Sequence, residues 1–238
     1  MTSPMTSRHG PGRLDWDRIR LVAFDMDGTL YNQRRLRLRM MRDLLLDAAS
    51  RWTLDAITVL RAYRRIREQV AEQEVPDFDN ALVTRTARAT GRSPDEVRPV
   101  VEEWIERRPL PYLRACRYPG LAELFAGLRR GGKLIGILSD YPAAAKLAAL
   151  DLEADRIVCA SDKGVGLLKP NPRGLEVMIE AAGTGPQQTV LIGDRADRDG
   201  MAARRIGAWP LIRSAKPIRG YQTFAAFDDA IFRSFLPA

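Results

Sequence analysis

Leu21-Val22-Ala23-Phe24-Asp25-Met26-Asp27-Gly28-Thr29-Leu30 is a short apolar run that meets two carboxylates and a glycine. Four apolar residues in a row, without alternation, read as a strand buried on both faces. Asp25 and Asp27 then fall at the strand's C-terminal end, where open α/β sheets bind their ligands. Gly28 lets the backbone turn tightly and approach a ligand. The arrangement suits a carboxylate nucleophile, a neighbouring acid/base and a hard divalent cation. Two acids two residues apart are weak evidence alone; strand, turn and both acids together are much stronger.

Further apolar runs repeat the strand signature at residues 133–138, 156–160, 189–192 and 208–212. Pro210 in the last of them predicts an edge strand, because proline cannot donate to a ladder. Helical stretches at 121–130, 142–149, 172–182 and 199–206 separate these runs. Asn171-Pro172 reads as an N-cap followed by proline in the first turn. Strand–helix alternation of this kind predicts an α/β fold with a doubly wound parallel sheet.

Between about Gln33 and Arg117 the alternation stops and the pattern is helical. Met40, Met41, Leu44, Leu45 and Ala48 recur at helical spacing, and Ile57, Leu60, Tyr63 and Ile66 repeat it. Ser93-Pro94-Asp95-Glu96 has the form of a capping box, although Pro99 argues for a later helix start. Pro109-Leu110-Pro111 reads as a stiff exit segment. The expected organisation is therefore a disordered tail over 1–17, a catalytic core over 18–32 and 117–238, and an all-helical module over 33–116 inserted into that core.

The chain has 238 residues, 45% of them hydrophobic, which is enough for a well-buried core. No apolar run reaches bilayer-spanning length, and the first dozen residues lack an apolar signal core. The expectation is a cytoplasmic protein without a membrane span. The single histidine, His9, lies in the tail, so chemistry that needs a core histidine is excluded. Cys116 and Cys159 form no CxxC and read as buried free thiols. The formal charge of +8 admits nucleic acid, anionic membrane or anionic small substrates. Most basic residues are interleaved with acids, as on solvated helix faces, which disfavours nucleic acid.

Four polar signals sit at or just after the C-terminal ends of the expected strands. Asp25 and Asp27 follow the first, Ser139-Asp140 the second, Lys169-Pro170 lie in the loop after the third, and Gly193-Asp194 with Asp199 follow the fourth. In a parallel sheet these ends share one edge, so residues far apart in sequence converge.

These four motifs, in order and spacing, resemble those of the haloacid dehalogenase-like (HAD) hydrolase superfamily. The resemblance covers roughly residues 21–212 and implies a Rossmann-like core with a helical cap. Tyr118-Pro119-Gly120-Leu121 resembles the segment that re-enters the core in phosphoglycolate-phosphatase-like members. The resemblance implies an aspartyl-phosphate on Asp25, with Asp27 as general acid/base and Lys169 offsetting charge in the transition state. It implies Mg²⁺ held by Asp25, Asp27 through its carbonyl, Asp194 and Asp199, the last through water or by orienting Asp194. Gly28, Thr29, Ser139, Asp140 and Lys169 are the implied phosphate site. Asp197 is a competitor for the role of Asp199, and Arg195 and Arg198 read as surface or helix-start residues.

The leading expectation is a Mg²⁺-dependent phosphatase of a small phosphorylated metabolite. Asp27 separates this from dehalogenating members, which expel halide and need no proton donor. A phosphotransferase such as a phosphohexose mutase would keep the same motifs, and a non-catalytic anion- or RNA-binding protein is the remaining alternative. Specificity is expected from the inserted helices, with Arg34, Arg35, Arg37 and Arg39 as candidates for a second anionic group. Tyr31 and Asn32, in the connection to those helices, are candidates to flank the substrate.

Overall fold

The computed structural model describes residues 14–51 and 54–237. His9 and most of the expected tail lie outside them. Six parallel strands form one sheet: β1 (Leu21–Asp25), β2 (Leu134–Ser139), β3 (Arg156–Cys159), β4 (Thr189–Gly193), β5 (Trp209–Arg213) and β6 (Gln222–Phe224). Their spatial order is β3-β2-β1-β4-β5-β6. The chain runs outward from β1 through β2 to β3, then returns to the other side of β1 with β4. The crevice at the C-terminal ends of β1 and β4 is thus a topological switch point, where such sheets bind ligands.

Alternation of side chains along β1 divides the core. Val22 and Phe24 join one apolar cluster with Ile135, Ile137, Val190 and Ile192; Leu21 and Ala23 join the opposite one with Leu138 and Leu191. Helix α6 (Leu121–Arg130), whose Leu124, Phe125 and Leu128 are buried, covers the first face. Helices α8 (Arg173–Ala181) and α9 (Met201–Arg205) cover the second through Leu175, Met178, Ala202 and Ala203. Each fully buried Leu or Phe contributes about 2 kcal/mol.

Three expectations about the core need correction. β5 is interior, not an edge; β6 is the edge strand and begins opposite Leu211, one residue past Pro210, so at Pro210 there is no ladder toward β6 that lacks its donor. The tail does not extend to residue 17: Leu14 is buried, and the Trp16 indole packs edge-on against Phe235 at 5.0 Å while donating to the Ile231 carbonyl. Helix α8 starts at Arg173, one residue later than expected, with Asn171 Oδ1 accepting from the Arg173 N–H.

Between β1 and β2 the chain is helical: α1 (Gln33–Arg51), α2 (Asp55–Glu72), α3 (Phe78–Thr90), α4 (Pro94–Val101), a π-helical turn (Glu102–Arg107) and α5 (Leu110–Cys116). Helix α7 (Ala144–Ala149) follows β2. The capping box forms, with the Glu96 N–H donating to Ser93 Oγ and the Ser93 N–H to Glu96 Oε2. Helix α4 therefore starts at Pro94 and carries Pro99 in its interior; the box, worth about 1 kcal/mol, supports the first turn. Pro109-Leu110-Pro111 is no exit segment but the N-terminal turn of α5, where missing N–H groups leave no helical bond unmade. The segments into and out of the insert pair with each other, the Asn32 N–H donating to the Cys116 carbonyl and the Tyr118 N–H to the Leu30 carbonyl. Val59, Tyr63, Val70, Leu82 and Val97 build a core for the insert. Cys116 and Cys159 are buried free thiols. No helix among the described residues is long and apolar enough to cross a membrane.

Candidate active site

Asp25 ends β1, in register with Leu138 of β2, and is 7% exposed. Thr29 Oγ1 donates to its Oδ2 at 2.9 Å, fixing the carboxylate from the following turn. Its Oδ1 accepts from Lys169 Nζ, which also donates to Asp199 Oδ1 at 2.7 Å and lies 3.4 Å from the Leu138 carbonyl. The lysine is buried, which works against its charge, but Asp199 and Asp25 outweigh this and hold it firmly protonated.

Asp194 follows β4, and Asp199 lies on a π-helical turn, Ala196–Gly200, just beyond it. Carboxylate oxygens of Asp25, Asp194 and Asp199 lie within 4.8 Å of one another. Two glycines make this approach possible. A Cβ on Gly28, which has φ +105°, would run into the Asp194 carboxylate; a Cβ on Gly193 would run into Asp199. Burial, then the charge of Asp199, pushes Asp194 up to about 6. Burial likewise raises Asp25 well above its ordinary value, helped by the charges of Asp199 and Asp194 and opposed by Lys169. Three hard oxygen donors this close together, on Asp25, Asp194 and Asp199, are a fitting set for a divalent cation such as Mg²⁺.

Asp27 faces the same cavity with different partners. Its Oδ1 accepts from Lys146 Nζ at 2.8 Å and from the Tyr31 hydroxyl. Burial works to raise Asp27, but Lys146, Tyr31 and Arg67 outweigh it and hold the carboxyl below its usual range. Burial and the Asp27 charge keep the Tyr31 phenol protonated.

Six of the expected site residues line one cavity of about 390 Å³: Asp25, Asp27, Asp140, Lys169, Asp194 and Asp199. Gly28, Thr29 and Ser139 stand behind that lining. Ser139 is 1% exposed, and its Oγ accepts from the Tyr141 N–H at 3.1 Å, holding the turn after β2. The Asp140 carboxylate is committed elsewhere than to a phosphate: Oδ1 accepts from the Lys169 N–H at 3.0 Å and Oδ2 lies 3.4 Å from Arg67. Asp197 is exposed and pairs with Arg195, leaving Asp199 as the inward acid. Arg198 is not a surface residue; it is 6% exposed and donates to the Lys169 carbonyl and to Glu68. Of the candidate arginines after the first motif, Arg37 lines the cavity and Arg34, Arg35 and Arg39 do not.

Sequence reasoning missed Lys146, Arg67 and Glu68. Lys146 had a visible signal: it is the one charged residue in an alanine-rich helix just after the second motif. Arg67 and Glu68 had none, being two of many charged residues on α2. In the fold Arg67 stacks over Tyr141 at 3.9 Å, and Glu68 accepts from both Arg195 and Arg198, so α2 is tied to the loops beyond β2 and β4.

A family model for haloacid dehalogenase-like hydrolases matches residues 19–207, β1 through α9, and the chain belongs to that family. The glyceraldehyde 3-phosphate phosphatase of Methanopyrus kandleri is 26% identical over 198 residues, 79% of this chain and 81% of its own. The phosphoglycolate phosphatase of Rhodospirillum rubrum is 24% identical over 234 residues, 87% of this chain and 86% of its own. Among solved structures, a HAD-hydrolase of Bacillus subtilis bound to magnesium matches with a TM-score of 0.65 at 16% identity, over 89% of this chain and 96% of that one. The 2-haloacid dehalogenase of Pseudomonas syringae gives 0.62 at 17% identity, over 88% and 95%. At those identities the structures speak for the fold alone.

Proposed function

We propose that this hydrolase is a Mg²⁺-dependent phosphatase of a small phosphomonoester, acting through an aspartyl-phosphate on Asp25. One observation carries the reading: two carboxylates face one cavity with separate cationic partners, Asp25 on Lys169 and Asp27 on Lys146. A dehalogenating site needs only the first. The curated relatives that match most of the chain are phosphatases, which supports the same choice.

Asp25 attacks phosphorus, and the bond from phosphorus to the ester oxygen breaks. In the resting site Asp27 is charged; a phosphate dianion beside it favours the protonated form, which gives its proton to the departing oxygen. As a base again, Asp27 takes a proton from the water that attacks the aspartyl-phosphate, releasing phosphate and restoring Asp25. Lys169 offsets the charge shared by Asp25 and the phosphoryl group. Asp140 and Ser139 act behind it, by holding the Lys169 backbone and the turn after β2. The cation, held by Asp25, Asp194 and Asp199 together with the Asp27 carbonyl, would supply charge neutralisation among these oxygens. Helices α1 to α5 serve in this reading as a cap that closes on the leaving group, covering residues 33–116 between two core segments.

Phosphate release from para-nitrophenyl phosphate, with Mg²⁺ or EDTA, tests the reading. We expect Mg²⁺-dependent release that falls at least about a thousandfold in Asp25→Asn. Release that survives this substitution would discard Asp25 as nucleophile.

A further inference from the structure

The residues lining the cavity come from two regions. The core supplies the aspartates and lysines, with Arg195 and Arg198. The helical insert supplies Arg37, Arg64, Arg67 and Glu68 and, beside them, an apolar wall: Met40 and Leu44 from α1, Leu60 from α2, and Trp104 and Ile105 from the π-helical turn. Leu44, Leu60 and Trp104 are buried and form an apolar cluster separate from the insert's main core. This cluster therefore packs at the cavity itself. The Trp104 indole is held by the Arg108 guanidinium, which lies 4.2 Å from the ring centre and is tied to Glu103 at 2.8 Å. At the rim, Met41 is 50% exposed, and Leu45 one turn further on is 55% exposed, so the apolar surface continues outward along α1.

We infer that the leaving alcohol of the substrate carries an apolar alkyl or aryl body that lies along Leu44, Leu60 and Trp104. This rests on the phosphatase reading and narrows it. A two- or three-carbon hydroxy acid or aldehyde would set its carbonyl oxygens against the Leu44 and Leu60 side chains, which offer no donor, at a cost in desolvation. An apolar body loses nothing there, and each methylene that leaves water favours binding by about fourfold. Arg37 and Arg64 also line the cavity. Among the described residues Arg64 makes no ion pair, so a second anionic group is the competing occupant and the assay must include it.

The test is kcat/KM with Mg²⁺ for ethyl, butyl, hexyl and octyl phosphate, for ω-carboxyalkyl phosphates of matched length, for 2-phosphoglycolate and for para-nitrophenyl phosphate. We expect kcat/KM to rise about fourfold per methylene until the wall is covered, with each alkyl ester ahead of its carboxylated match. Leu60→Phe, which narrows the space, and Met41→Glu, which charges the rim without touching packed core, should each lower the octyl-to-ethyl ratio about tenfold. A flat series, a preference for 2-phosphoglycolate or the carboxylated esters, or a ratio unmoved in both variants overturns the inference while leaving the phosphatase intact. No release from any ester, para-nitrophenyl phosphate included, overturns both.

Discussion

At the sheet edge, backbone and side chains are held to a narrow geometry. Gly28 and Gly193 give up their side chains so that Asp194 and Asp199 can approach, Lys169 spans two carboxylates, and Thr29 and Asp140 hold their neighbours from behind. On the insert, the same cavity is lined by ordinary helix residues, Met40, Leu44 and Leu60, whose positions follow from one turn succeeding another. In the reading proposed above, chemistry belongs to the first region and selectivity to the second, and a few polar ties from α2 join them.

Substitutions can break this comparison. The largest effect is expected from Gly28→Ala. Positive φ alone costs about 1–2 kcal/mol, and the new methyl occupies the space of the Asp194 carboxylate. Calorimetric titration should show Mg²⁺ binding lost, with turnover down more than about a hundredfold; a variant that binds Mg²⁺ like the parent would show that the close approach is dispensable.

Lys146→Met should come next. Removing the 2.8 Å partner of Asp27 leaves a buried carboxylate with only Tyr31 and Arg67 to hold its charge. We expect kcat to fall about a hundredfold with a smaller change in KM, while Arg37→Met on the insert should shift KM more than kcat. Equal shifts in both parameters for both variants would erase the distinction between the regions.

Glu68→Gln should be the smallest. Hydrogen bonds from Arg195, with help from Arg198, bring Glu68 down to about 2 against burial, from an ordinary 4.5. A depressed folded-state value gives stability that is present above about pH 4.5 and lost as pH falls toward 2. The side chain is 45% exposed, so solvent screening keeps the contribution modest. Wild type should melt a few degrees above Glu68→Gln at pH 7, with the gap closing between pH 4.5 and 2. A gap that persists at low pH would mean the tie is not ionic.

Asp25, Asp27, Lys169, Asp194 and Asp199 were legible because each follows an apolar run, and a parallel sheet brings such run-ends together. Ser139 and Asp140 were legible as positions but not as roles; the sequence cannot say that the Asp140 oxygens would be taken by the Lys169 N–H and Arg67. Strand β6, three residues long, has too little periodicity to read. Pro210 misled because proline's lack of a donor marks a missing ladder partner, and a short neighbouring strand produces the same condition as an edge.

The sequence by itself determined the alternating architecture, the helical insertion and the acids that converge. Local patterns encode these, since burial on two faces demands continuous apolar runs and one buried stripe demands helical spacing. Tertiary structure alone decided that Lys146 meets Asp27 across 119 residues, that Glu68 reaches Arg198 across 130, and that Leu44, Leu60 and Trp104 share one wall. Those contacts depend on how helices pack against a sheet, and charged or apolar residues on a helix look alike until packing chooses which of them face inward.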